Sequence, residues 1–252
     1  MTQLTDRLSK QNIIELAKKK FEDSQKSTLP TVLVPLSSQG KIYPEAHPLR
    51  KGTIEMRYMT AYDEDILTNA SYAREGVLFD KLLEAIITTP IDVADISQFD
   101  RDILIINARI LAYGADYPVY VTDPKTGKAL ERSVNLSQLK NKPFDLETDE
   151  NGEIEYKIDA STTIKFTYLY DVLEDMPVSE IMKQMICEVN GDRSDATIDE
   201  FIRYKFMSFN AKPFRKYVKD NAPGLDLSYD FEGEDGSAFR SGFPLGTDLF
   251  WF

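Results

Sequence analysis

The sequence predicts an α+β protein in which short antiparallel strands and hairpins pack with helices, and whose C-terminal third is mainly helical. Three observations carry that reading. Apolar positions alternate over Ile54, Met56 and Tyr58, over Ile154, Tyr156 and Ile158, and over Ile164, Phe166 and Tyr168, the period of half-buried strands. Apolar stripes at helical spacing run through Leu78, Leu82, Leu83, Ile86 and Ile87 and through Ile103, Leu104, Ile106, Ile110 and Leu111. Turn-rich segments separate the two kinds of pattern, with no tandem repeat or low-complexity tract among them.

Taken in order, Asp6 to Phe21 reads as a short amphipathic helix, with Lys18, Lys19 and Lys20 near its end where the helix dipole favours positive charge. Ser24 to Pro30 is a polar linker that would let this helix dock on a partner. A strand from Thr31, a turn-rich stretch and a second strand (GTIEMRYMT) follow. Thr60-x-x-Asp63 has the form of a capping box opening a short helix. The stripe from Leu78 predicts a helix stopped by Pro90, and Asp100 to Tyr113 predicts another, ended by Gly114.

Tyr117 to Thr122 and Ala129 to Leu136 predict a hairpin around the loop DPKTGK, with Pro118 marking an edge. Asn151-Gly152 leads into a second hairpin. In the last third, Ile181, Met182, Met185, Ile186 and Val189 form one helical face. Thr197-x-x-Glu200 then reads as the cap of a helix carrying Phe201, Ile202, Lys205, Phe206 and Phe209, and Pro213 as a first helical position. LDLSYDF alternates as a strand, GEDGSAFRSG reads as a loop, and the chain ends FPLGTDLFWF. The expected organisation is an N-terminal helix and linker over residues 1–30, a first α+β region over 31–145, and a second over 146–252 bearing an aromatic tail.

Composition narrows the function classes. At 42% hydrophobic and 29% charged residues, the chain has the ordinary globular mixture and should fold. A net charge of −12 repels nucleic acid on average, so none is expected as a partner. No apolar run reaches the roughly 18 residues of a membrane span, and membrane insertion is not expected. One cysteine, Cys187, and one histidine, His47, leave no internal disulfide and no His/Cys zinc set, which implies a reducing cytoplasm.

Catalytic signatures are scarce: no phosphate-binding glycine loop, GxSxG, HExxH or CxxC is present. Asp63, Glu64 and Asp65 fall at consecutive helical positions and diverge around the axis, so they cannot share one cation. Asp192, Asp195 and Asp199 beside Asn190-Gly191 lack the ligand order of a calcium loop and fit a helix stop followed by a cap. Cys187 reads as a small buried hydrophobe on a helix, and His47 as a loop residue. No enzyme, metal or cofactor is expected. The anomaly is the end of the chain, where Phe243, Phe250, Trp251 and Phe252 put four aromatics into ten residues. Chain ends normally fray, so either this tail packs into its own domain or it is held for another subunit.

Residues 35–68 carry a resemblance. Pro35, Leu36, Ser38, Gly40, Tyr43 and Pro44, then Met59, Thr60, Ala61, Glu64, Asp65, Ile66, Leu67 and Thr68, resemble a strand, Gly-x-x-Tyr-Pro turn and "MTA…EEDILT" segment. That pattern belongs to the baseplate and baseplate-hub assembly proteins of T-even-like contractile-tailed phages. Asp100-Arg101 with ARILAYGADY, EVNGDRSDATIDEFI and the ending GTDLFWF extend the similarity over roughly residues 32–252. Some relatives carry a Cys-x-x-Cys knuckle where this chain has DPKTGK from Asp123 to Lys128, so no metal role carries over.

The resemblance implies a structural or assembly protein of the tail baseplate hub. It would be made in the host cytoplasm and would bind hub or tube subunits, with no active site. The residues it marks for partner contact are Gly40, Tyr43 and Pro44, Met59, Thr60, Glu64 and Asp65, and Asp248, Leu249, Phe250, Trp251 and Phe252. Turns and caps require the same residue types without any partner. A transient tail-assembly chaperone is the alternative, and a metal-dependent hydrolase built on the acidic clusters a remoter one.

Overall fold

The computed structural model describes residues 29–169, 176–243 and 247–250. The helix expected over Asp6–Phe21, nearly all of the linker after it, Trp251 and Phe252 lie outside the described residues. Strands β1 (Thr31–Pro35) and β2 (Thr53–Arg57) pair antiparallel from Thr31↔Arg57 to Pro35↔Thr53. Ile54 and Met56 are fully buried, as their alternation predicts, but the ladder stops at Arg57 and leaves Tyr58 40% exposed. Arg57 turns inward in its place, because a carboxylate waits for it there.

Three helices follow in quick succession: α1 (Ala61–Leu67), α2 (Ala70–Glu75) and α3 (Leu78–Ile86). The sequence reading missed α2, which is set by its ends. Asn69 accepts from the backbone N–H groups of Ser71 and Tyr72, and Gly76 closes it in the left-handed conformation. Leu78, Leu82, Leu83 and Ile86 bury the predicted face of α3. That helix ends before Pro90, because Ile87 goes extended and bridges Met56. Helix α4 (Gln98–Tyr113) starts two residues earlier than expected and stops at Gly114, whose N–H bonds Ile110 O.

Both predicted hairpins form. Strands β3 (Asp116–Thr122) and β4 (Ala129–Asn135) pair from Asp116↔Asn135 to Thr122↔Ala129, around a turn held by the Asp123 carboxylate. A two-residue strand β5 (Lys140–Asn141) leads on to β6 (Ile154–Lys157) and β7 (Thr163–Phe166). Against expectation a third strand joins these last two. Helix α5 (Val178–Met185) ends at Met185, and β8 (Ile186–Val189) pairs with β7. Ile186 and Val189 are β-branched and buried in the ladder, so an apolar spacing that also suits a helix is resolved as a strand by pairing. Cys187 therefore sits on a strand, half-buried, and burial pushes its thiol up to about 11.

The cap of the next helix, α6 (Asp195–Glu200), is Ser194 rather than Thr197. The Ser194 hydroxyl accepts from the Thr197 N–H, while the Thr197 hydroxyl donates to Asp192. A π-helical turn (Phe201–Lys205) then breaks the expected long helix before α7 (Ser208–Asp220). Pro213 lies inside α7, not at its start, and Phe209 is 74% exposed. Strands β9 (Leu225–Asp226), β10 (Ser228–Glu232) and β11 (Ala238–Gly242) complete the order. Strand β9 pairs with β5, and β10 pairs with β11 in a hairpin, so the segment read as a loop is half strand. One contiguous core runs from Val34 to Phe250.

Candidate functional site

The Gly-x-x-Tyr-Pro turn is built around one carboxylate. Asp100, in the first turn of α4, is completely buried. Its Oδ1 accepts from the Ser37 hydroxyl at 2.8 Å and the Ser38 N–H at 2.9 Å. Its Oδ2 accepts from the Ser38 hydroxyl at 2.7 Å, the Tyr43 hydroxyl at 2.8 Å and the Ser97 hydroxyl at 3.3 Å. Burial, followed by the charge of Asp100, raises the Tyr43 phenol well above its ordinary range, so it stays a donor.

Gly40 closes the turn at φ +77°, where an added Cβ would lie 2.6 Å from Leu49 O, Arg50 O and Gly52 N. The Arg50 guanidinium ties the same loop down by donating to Lys41 O and Tyr43 O. Pro44 is half-buried, and His47 stacks on Tyr43 at 5.1 Å and caps the short helix after it. Gly40 and Tyr43 thus face inward, within the framework.

The second segment is half framework and half surface. Arg57 and Asp63 form a two-pronged ion pair with bonds of 2.7 and 2.8 Å, both side chains nearly inaccessible. Asp63 also accepts from the Thr60 N–H and hydroxyl. Burial works against its charge, but the bonds from Arg57 and Thr60 prevail and hold its carboxyl below the usual range. Met59 and Thr60 are half-buried, while Glu64 and Asp65 are exposed on α1 beside the solvent-facing Tyr62. Glu64 accepts a bond from the Tyr113 hydroxyl at 3.0 Å.

At the C-terminus, a short 3₁₀ turn (Thr247–Phe250), which includes Asp248, brings Leu249 and Phe250 into the core. Phe250 packs on Phe79 at 6.0 Å and edge-on to Tyr113 at 6.3 Å. Arg109, fully buried in α4, donates to Leu249 O at 2.8 Å and to Gly114 O at 2.8 Å, with its guanidinium over the rings of Tyr113 and Tyr117. For Leu249 and Phe250 the structure selects self-packing.

Of the acidic residues weighed as metal ligands, Asp63, Glu64, Asp192 and Asp199 have other partners. Asp192 accepts from the Ser194 N–H and the Thr197 hydroxyl, and Asp199 pairs with Lys183 and Arg203. Among the described residues no group of three or more His, Cys, Asp or Glu side chains could hold a metal ion, and no helix is long and apolar enough to cross a membrane. One apolar cluster meets solvent. Tyr204, Met207 and Phe209 are 71%, 52% and 74% exposed within six residues, at the joint between the π turn and α7.

The sequence reading placed Phe209 on a helix face and missed this cluster; only the break at Phe206 turns it outward. Asp100 carried a readable signal, since Ser97-x-x-Asp100 is a helix-start pattern. Arg109 carried none, because its role depends on residues 140 positions away.

A protein-family comparison matches residues 30–204 to the T4 bacteriophage base plate protein family, well over half of the chain. The chain belongs to this family. The match begins just before β1 and closes on the π turn, so it includes the Asp100 turn and the Arg57–Asp63 pair and ends before Leu249 and Phe250. No curated protein and no solved structure matches the chain.

Proposed function

We propose that this baseplate-family protein is a structural or assembly component of the baseplate hub, working by contact with other tail proteins and without catalysis. The supporting observation is the cluster of Tyr204, Met207 and Phe209, three of the eight large apolar side chains exposed among the described residues, gathered within six positions. Exposed aromatics and methionines of this kind are costly to solubility in a free protein and are enriched where subunits meet. The exposed Glu64, Asp65 and Tyr62 of α1 offer a second contact face, with the buried Arg57–Asp63 pair as its rigid backing.

Under this reading the Gly40–Tyr43–Pro44 turn acts indirectly, by fixing where β1 and α4 stand. Trp251 and Phe252, which follow Phe250 in the sequence, are the remaining candidates for partner contact.

The test is quantitative mass spectrometry of purified tails together with co-purification from infected cells. A hub component is expected at fixed stoichiometry in mature particles and in complex with hub or tube subunits. Its loss from mature particles, with the complexes retained, would instead identify a transient assembly chaperone. Finding neither would overturn the proposal.

A further inference from the structure

A groove of about 550 Å³ opens between the start of α4, helix α5 and the end of α7. Its floor is apolar and adaptable, formed by Phe99, Tyr168, Met182, Met185, Val218 and Leu225. Methionine and aromatic side chains of this kind repack around different apolar groups, a property of surfaces that take up protein segments. Its rim carries Lys142, Arg215 and Lys219, all exposed and, among the described residues, in no ion pair. Among the described residues that line the groove, Asp102 is the one carboxylate. Gln98 donates to it, and burial raises its carboxyl above the usual range while Lys142 works the other way.

Three cations without ion pairs around one apolar floor stand out on a chain of net charge −12. We infer that this groove is the docking site for an acidic amphipathic segment of another baseplate protein, whose apolar side chains enter the floor while its Asp and Glu residues meet Lys142, Arg215 and Lys219. The inference rests on the contact-based function proposed above and names the chemistry of one contact. Charge selects this occupant over the chain's own N-terminal stretch, where six Lys and Arg outnumber four Asp and Glu over residues 1–28. A basic segment would be repelled by the rim, whereas an acidic one is both steered and held.

The experiment places a photo-crosslinking amino acid at position 98 of the full-length chain, in place of the exposed Gln98 on the rim, and irradiates cells during infection. The crosslinked peptide is expected to come from another tail protein and to carry apolar residues flanked by Asp or Glu. A synthetic peptide of that sequence should then bind the unsubstituted chain and bind the Lys142→Glu/Arg215→Glu/Lys219→Glu variant about tenfold or more weakly, with the difference shrinking at high salt. Because the three side chains are exposed and, among the described residues, make no ion pair, the variant should keep the parent's urea midpoint.

Crosslinks to a second copy of this chain, to a segment without acidic flanks, or to nothing would overturn the inference. So would peptide binding indifferent to the three charges. If position 98 yields no crosslink while the chain still enters tails at fixed stoichiometry, the groove assignment fails and the baseplate role stands. If the chain is absent from every tail complex, the role itself fails.

Discussion

Replacing Asp100 by alanine removes the acceptor for the Ser38 N–H, the Ser38 hydroxyl and the Tyr43 hydroxyl at one stroke. Ser37 loses less, because its hydroxyl also lies 2.8 Å from Phe99 O. The Ser38 N–H and hydroxyl lose their acceptor at about 1 to 3 kcal/mol each, while the Tyr43 hydroxyl still has Ser97 Oγ at 3.4 Å. A water entering the vacated space would recover part of that, so the net loss should be roughly 2 to 4 kcal/mol. Asp100→Asn should fall between parent and alanine variant. An amide oxygen in the place of Oδ1 keeps the Ser37 and Ser38 N–H bonds, while the NH₂ group faces three hydroxyls that must rotate to accept. Urea unfolding followed by fluorescence gives the three stabilities. An alanine variant within about 1 kcal/mol of the parent would refute the claim that the family's turn is held by this carboxylate.

Further outcomes follow from the same geometry. Gly40→Ala should destabilise far more than Gly76→Ala: both glycines have positive φ, but a Cβ at Gly40 meets three backbone atoms at 2.6 Å and one at Gly76 meets nothing. The Gly76 change should cost only about 1 kcal/mol. Phe250→Ala should cost roughly 3 to 5 kcal/mol by opening a cavity against Phe79 and Tyr113; a freely fraying tail would show no loss in thermal unfolding.

Stability should also fall in acid. Bonds from Arg57 and Thr60 hold the Asp63 carboxyl below its unfolded value, and bonds from Lys165 and neighbouring backbone N–H groups do the same for Asp149, each against an opposing burial effect. That contribution is complete above about pH 4 and disappears as pH drops through the lower folded-state values. Asp63→Asn should flatten the acid limb of a stability–pH curve; an unchanged limb would exclude Asp63 as a source.

Local patterns were read well wherever one period dominated. Both hairpins, the α3 and α4 stripes and the Thr60–Asp63 helix start fall where the residues place them, because strand alternation and helical stripes are short-range signals. The departures share a cause. Ile186 and Val189 satisfy helix and strand spacing alike, and only pairing with β7 decides. The Thr197 hydroxyl is taken by Asp192, leaving the cap to Ser194. At the site, sequence similarity marked Gly40 and Tyr43, but residue type alone did not reveal that they serve a buried acid on a helix some 60 positions later. The aromatic tail posed a choice that only tertiary packing resolves, and Arg109 with Phe79 and Tyr113 resolves it for Leu249 and Phe250.

The proposed role rests on exposed apolar side chains joining this protein to its neighbours in the baseplate. The direct measurement is tail yield and chain incorporation in infected cells supplied with a Tyr204→Ser/Phe209→Ser variant, alongside its urea midpoint. Because both rings face solvent, the unfolding free energy should stay within about 1 kcal/mol of the parent while incorporation collapses. Full incorporation of an equally stable variant would contradict the claim.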